Sequence, residues 1–99
     1  MSTDINTSID IQKTTKSKIS QIDFSNLSFG DVFTDHMLEC DFKDGQWQTV
    51  KIRPYGPISL DPSAKVFHYG QAIFEGMKAY KGEDDSIWLF RPEENHARL

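Results

Sequence analysis

The sequence is short of cysteine, of long apolar runs and of positive charge, and each shortage removes a class of protein. Cys40 is the only cysteine, so an internal disulfide framework is excluded and a reducing compartment fits. Acidic residues outnumber basic ones, 15 against 11, for a net charge of −4. Without a compact basic stripe, that balance argues against a nucleic-acid partner. No stretch approaches the ~20 apolar residues that cross a bilayer, and none near the N-terminus has the length of a signal h-region. No membrane partner is expected. Arginine is missing before Arg53, while Asp4 and Asp10 stand early, the reverse of a mitochondrial presequence. The expected location is cytoplasmic. His36, His68 and His96 lack the spacing of a metal site, and no metal is expected.

What is present falls into two parts. Residues 1–28 are polar, with isolated Ile5, Ile9, Ile11, Ile19 and Ile22 and no aromatic before Phe24. So little apolar surface cannot offset the entropy of ordering, and a flexible tail is expected there. From Phe29 onward aromatics become frequent and period-two alternation appears. With 37% hydrophobic residues in 99, any core is modest.

The alternation of Phe33–Phe42 sets His36, Leu38, Cys40 and Phe42 on one face and Asp35, Glu39 and Asp41 on the other, as in a half-buried strand. Cys40 reads there as a buried strand residue. Asp44-Gly45 supplies hairpin-turn chemistry, leading into a second strand over Gln48–Arg53 with Val50 and Ile52 inward. Pro54, Gly56, Pro57 and Pro62 make Pro54–Ala64 a loop. A third strand is expected over Ile73–Lys81, a turn at Gly82-Glu83-Asp84-Asp85, and a fourth strand over Ser86–Phe90. Pro92 suits the first position of a helix, where Glu93 and Glu94 complement the positive end of the dipole. Strands followed by a helix indicate an α+β domain with an antiparallel sheet. Its sheet face is largely uncovered, so stability in isolation is not expected.

Two blocks carry a resemblance. Phe67-His68-Tyr69-Gly70-Gln71-Ala72-Ile73-Phe74-Glu75-Gly76-Met77-Lys78-Ala79-Tyr80-Lys81 and Leu89-Phe90-Arg91-Pro92-Glu93-Glu94-Asn95-His96-Ala97-Arg98-Leu99, with Phe33-Thr34-Asp35-His36-Met37-Leu38 upstream, resemble the N-terminal small domain of branched-chain amino acid aminotransferases. These are class IV aminotransferases dependent on pyridoxal phosphate (PLP). The resemblance covers residues 29–99, read as an incomplete small domain of a fold-type IV PLP enzyme. The Tyr-Gly and Phe-Glu-Gly elements occur more widely, in D-amino acid aminotransferases and aminodeoxychorismate lyases; the longer combination points to the branched-chain branch.

The resemblance implies amino transfer from leucine, isoleucine or valine to 2-oxoglutarate through PLP, in a full-length enzyme that is a homodimer. It implies that Arg98 contacts the PLP phosphate, a task suited to a planar donor fork. Tyr69, Phe74 and Phe29 correspond to walls of the substrate side-chain pocket, and Gly76 to a position where a side chain would intrude. Lys78 stands where some relatives have arginine. Glu75 and His68 read as structural hydrogen-bonding groups. The Schiff-base lysine of the family lies downstream of Leu99, so no residue of the chain is expected to be catalytic, and the 99-residue chain alone is expected to be inactive. The alternatives are a noncatalytic remnant or interaction module, or another class IV enzyme such as a D-amino acid aminotransferase.

Overall fold

The computed structural model describes residues 8–99, so the first seven residues of the expected tail lie outside the described residues. Contacts divide the chain into two units, one running to Ile58 and the other from Ser59 to Leu99.

The first unit is built on one interrupted hairpin. Strand β2 (His36–Glu39) pairs antiparallel with β5 (Lys51–Pro54), from His36 opposite Pro54 to Glu39 opposite Lys51. Further along the same hairpin, β3 (Phe42–Lys43) pairs with β4 (Gln46–Trp47). The Asp44-Gly45 turn that closes it has φ of 54° and 76°, the left-handed pair that matches strand twist in a two-residue hairpin.

Between the two ladders, Cys40 and Asp41 face Gln48, Thr49 and Val50, which places one extra residue on the second strand. Such a bulge breaks the ladder locally. Gln48 N–H still donates to Asp41 O at 2.7 Å, and Cys40 Sγ reaches Gln48 O at 3.2 Å. The extra residue brings Trp47 opposite Phe42, where the rings meet edge-on at 5.1 Å. The expected pair of continuous strands is therefore four short ones. Cys40 lies just past β2 and is partly exposed rather than buried. Pro54, expected to begin a loop, is the last residue of β5; a proline is tolerated at a strand end, where no ladder donor is required.

A further strand, β1 (Asp10–Ile11), runs parallel to β5, making the order β1-β5-β2. Asp10 N–H donates to Val50 O at 2.9 Å and Gln12 N–H to Ile52 O at 2.8 Å. The expected antiparallel pairing is present, and β1 adds one parallel neighbour to it. The open edge of β5 offers unpaired backbone groups, and these recruit a polar segment that hydrophobic pattern alone does not mark. The same segment is tied down further on. Asp35 accepts from Ser17 Oγ at 2.5 Å and from the Lys18 amide at 3.0 Å, just before the single 3-10 turn Ile19–Gln21.

The second unit holds a short helix α1 (Lys65–His68), a hairpin of β6 (Ala79–Lys81) and β7 (Ile87–Leu89), and helix α2 (Pro92–Arg98). The β6–β7 ladder runs from Ala79 opposite Leu89 to Lys81 opposite Ile87. The turn falls over Gly82–Asp85 as its composition implies, closed by Gly82 N–H to Ser86 O at 2.7 Å. The third strand is shorter than expected because residues 71–78 have no ladder partner, and Gly76 weakens an unpaired extended run. Helix α1 is an unforeseen turn, steadied where the His68 Nε2 lies 3.0 Å from Pro62 O. Helix α2 starts at Pro92, as expected, with Glu93 and Glu94 in its first turn. Its N-cap residue Arg91 has φ 47° and gives no side-chain cap; its guanidinium instead meets Glu94 Oε1 at 3.1 Å.

No side chain among the described residues is buried. The architecture is mixed α/β, with small sheets, two of them antiparallel, and few helices. Many large apolar side chains of the described residues are exposed, and a closed core needs two layers packed together.

Candidate functional site

The second unit brings together three side chains from two distant stretches of sequence. Glu75 lies in the extended segment before β6, while Asn95 and Arg98 are one helical turn apart on α2. That i, i+3 spacing puts them side by side on one face. Asn95 Nδ2 donates to Glu75 Oε1 at 2.9 Å and also to the carbonyl of Gly76. Arg98 Nε donates to Glu75 Oε2 at 3.2 Å, and its Nη2 pairs with Glu75 Oε1. The carboxylate thus receives a two-pronged guanidinium and an amide.

This pairing sets the electrostatics. The hydrogen bond from Arg98, aided by Asn95, holds the Glu75 carboxyl below its ordinary value, against a smaller desolvation cost. The same contact raises Arg98. Both residues are charged through the neutral range. The exposures differ: the Glu75 side chain is 19% exposed and that of Arg98 66%. The glutamate is the seated partner, and the arginine reaches outward from it.

Beside this cluster lies an open hollow of about 430 Å³, lined among others by Gly76, Lys78, Tyr80, Arg91, Asn95 and Arg98. Lys78 Nζ stands 5.1 Å from the centroid of the Tyr80 ring, within cation–π range. Lys78, Arg91 and Arg98 border this concavity; Glu94 lines it too and pairs with Arg91 at 3.1 Å, as Glu75 pairs with Arg98.

Of the expected site residues, Arg98 and Gly76 meet at this hollow. A Cβ placed on Gly76 would meet nothing within 4 Å, so no neighbour among the described residues requires glycine there. Tyr69 and Phe74 do not line the hollow; they are 77% and 92% exposed. Phe29 belongs to the other unit and is fully exposed. The larger hollow of that unit, about 670 Å³ and walled by apolar side chains such as Ile22, Phe24 and Phe33, contains none of the expected site residues. Asn95 is the member that reading the sequence missed, although its i, i+3 spacing from Arg98 was available as a signal. Among the described residues, no helix is long and apolar enough to cross a membrane.

No family model matches the chain. Individual proteins do. The chain is 54% identical over 86 residues to branched-chain-amino-acid aminotransferase 2 of Bacillus subtilis, covering 86% of this chain and 24% of that protein. It is 57% identical over 76 residues to the branched-chain-amino-acid aminotransferase of Mycolicibacterium smegmatis, covering 76% and 21% respectively. A probable branched-chain-amino-acid aminotransferase of Staphylococcus aureus matches at 50% over 92 residues, 92% of this chain and 25% of that protein. The chain spans about a quarter of the length of these curated relatives, and over most of its own length it is similar to branched-chain-amino-acid aminotransferases.

Proposed function

We propose that the chain is the N-terminal part of a branched-chain amino acid aminotransferase, which transfers the amino group of leucine, isoleucine or valine to 2-oxoglutarate with PLP as cofactor. The observation that carries this reading is the identity of 50–57% to such enzymes over 76–92 residues. The architecture in this reading is a partial small domain of a fold-type IV enzyme, in a cytoplasmic homodimer. The uncovered apolar side chains support a chain that packs against further polypeptide, since apolar patches of this extent mark interaction surfaces.

The residues at the hollow fit the phosphate of PLP. Arg98 uses Nε and Nη2 on Glu75, which leaves Nη1 out of that pairing. Lys78 adds positive charge at the rim, where Arg91 is paired with Glu94. When bound, PLP supplies an electron sink at the amino-acid α-carbon. The chain's own part is to hold the phosphate through Arg98, with Tyr69 and Phe74 as walls of the side-chain pocket. Gly76 stands at the hollow beside Arg98. The lysine that carries the cofactor lies outside Met1–Leu99 in this reading.

The test is an assay of the protein from its complete reading frame, with PLP, 2-oxoglutarate and leucine, isoleucine, valine or D-alanine as donor, following glutamate. Glutamate from the three branched-chain donors and none from D-alanine is expected. Turnover of D-alanine alone moves the protein to the D-amino acid branch, and no turnover with any donor overturns the enzyme reading in favour of a noncatalytic module. The 99-residue chain alone should form no glutamate.

A further inference from the structure

We infer that Glu75, fixed by Asn95, is a positioning residue that orients Arg98 for phosphate; the inference rests on the reading of Arg98 as the PLP-phosphate ligand. A guanidinium offers two bidentate edges, one formed by Nε with one terminal nitrogen and one formed by the two terminal nitrogens. Glu75 takes the first edge: Nε donates to Oε2 at 3.2 Å and Nη2 pairs with Oε1. The edge carrying Nη1 is left for a second anion.

Three observations make Glu75 the fixed point. Its side chain is 19% exposed against 66% for Arg98. It is further held by Asn95 Nδ2 at 2.9 Å. Asn95 in turn donates to the backbone carbonyl of Gly76, next to Glu75 in sequence. The amide therefore ties helix α2 to the extended segment and sets the distance across which Arg98 reaches. A long flexible side chain at the last turn of a seven-residue helix would otherwise sample many rotamers, and restricting it beforehand lowers the entropy lost on binding.

The alternative use of the contact is purely structural: an ion pair that joins helix to strand and does nothing for a ligand. The two differ in what happens to a cofactor without its phosphate. PLP and pyridoxal share the ring and aldehyde and differ only in the phosphate. A positioning residue for Arg98 affects PLP alone, whereas a packing residue affects both.

The experiment measures the affinities of the full-length apo-protein for PLP and for pyridoxal by absorbance titration, for wild type, Glu75→Gln, Glu75→Asp, Asn95→Ala and Arg98→Ala. Glu75→Gln is expected to lower the PLP-to-pyridoxal affinity ratio about tenfold, by analogy with the low end of what loss of an orienting partner costs a metal ligand. Glu75→Asp, which keeps the charge, should recover part of the ratio, and Asn95→Ala should lower it less than Glu75→Gln. If Arg98→Ala lowers the ratio and Glu75→Gln leaves it unchanged, the positioning role is overturned while the phosphate role of Arg98 stands. If Glu75→Gln weakens PLP and pyridoxal equally, the residue is structural and the inference fails. An unchanged ratio in Arg98→Ala removes the phosphate reading itself, and the inference with it.

Discussion

Arg53 reaches diagonally across the β2–β5 ladder to Glu39: its Nε donates to Oε1 at 2.7 Å and its Nη2 to Oε2 at 3.4 Å. In register, Arg53 stands opposite Met37 and Glu39 opposite Lys51, so the pair spans the diagonal that long side chains can bridge. The same guanidinium donates to the carbonyls of Pro54 at 3.2 Å and Pro57 at 3.0 Å. One side chain thus joins β2 to the proline-rich segment that leaves β5. Hydrogen bonding to Arg53 holds the Glu39 carboxyl below its ordinary value.

Replacing Arg53 with lysine should loosen that junction, because an ammonium cannot reproduce the planar fork that serves a carboxylate and two carbonyls together. The expected outcome is faster amide exchange at Met37 and Lys51, which lie at every second position along the ladder from the Asp35–Tyr55 hydrogen bond, with β3–β4 unaffected. Unchanged exchange at those amides would show that backbone pairing holds the ladder without Arg53.

Gly45 carries φ 76° in the turn between β3 and β4. Alanine there pays the left-handed penalty of about 1–2 kcal/mol, whereas asparagine tolerates that region better. Gly45→Ala should weaken the Phe42–Trp47 ring contact, seen as a reduced nuclear Overhauser effect between the two rings, and Gly45→Asn should largely preserve it. Equal loss in both variants would show that tolerance of positive φ is not what the turn requires of residue 45.

The Glu75 carboxyl sits below its ordinary value of 4.5, chiefly through the Arg98 hydrogen bond. A depressed carboxyl stabilises the folded arrangement fully above the unfolded value and loses that contribution as pH falls through the folded one. The Glu75–Arg98–Asn95 contact should therefore persist down to about pH 4.5 and open only below it. The Asn95 side-chain amide resonances report this directly. A transition centred above that value would contradict the pairing, and Glu75→Gln should abolish the acid transition altogether.

Phe74 is 92% exposed among the described residues, an unusual state for an aromatic ring unless something covers it. If it walls the substrate pocket of the full-length enzyme, Phe74→Ala should weaken transition-state binding of leucine and isoleucine by about 1–3 kcal/mol, the range for loss of apolar pocket contact. Glutamate, bound more through its second carboxylate, should suffer less. Single-turnover kinetics following cofactor absorbance with leucine and with glutamate make the comparison. Equal slowing of both would mean that the ring supports packing and not selectivity.

Features with local causes were legible in the chain. Asp44-Gly45 became the hairpin turn because those residue types accept positive φ. The Gly82–Asp85 turn followed from the same kind of chemistry, and helix α2 began at Pro92 because proline's fixed φ and missing donor suit that position. The motif around Phe67–Lys81 pointed to branched-chain aminotransferases, and the identities to such enzymes agree with it. The flanks of these signals were not legible. Nothing in the alternation of Phe33–Phe42 announced the extra residue at Gln48–Val50, because a bulge depends on how two strands are registered against each other.

Read alone, the order of residues determined where the chain turns, where the last helix starts and which proteins it resembles. Tertiary structure decided the partners. It paired Asp10–Ile11 with the edge of β5, and it joined Glu75 to Arg98 across a separation of 23 residues. It also brought Arg98 and Gly76 to one hollow while leaving Tyr69 and Phe74 outside it. The reason is physical. Turn and cap preferences act through a residue's own backbone and its near neighbours, whereas strand pairing and ion pairing depend on surfaces that exist only after distant segments have met.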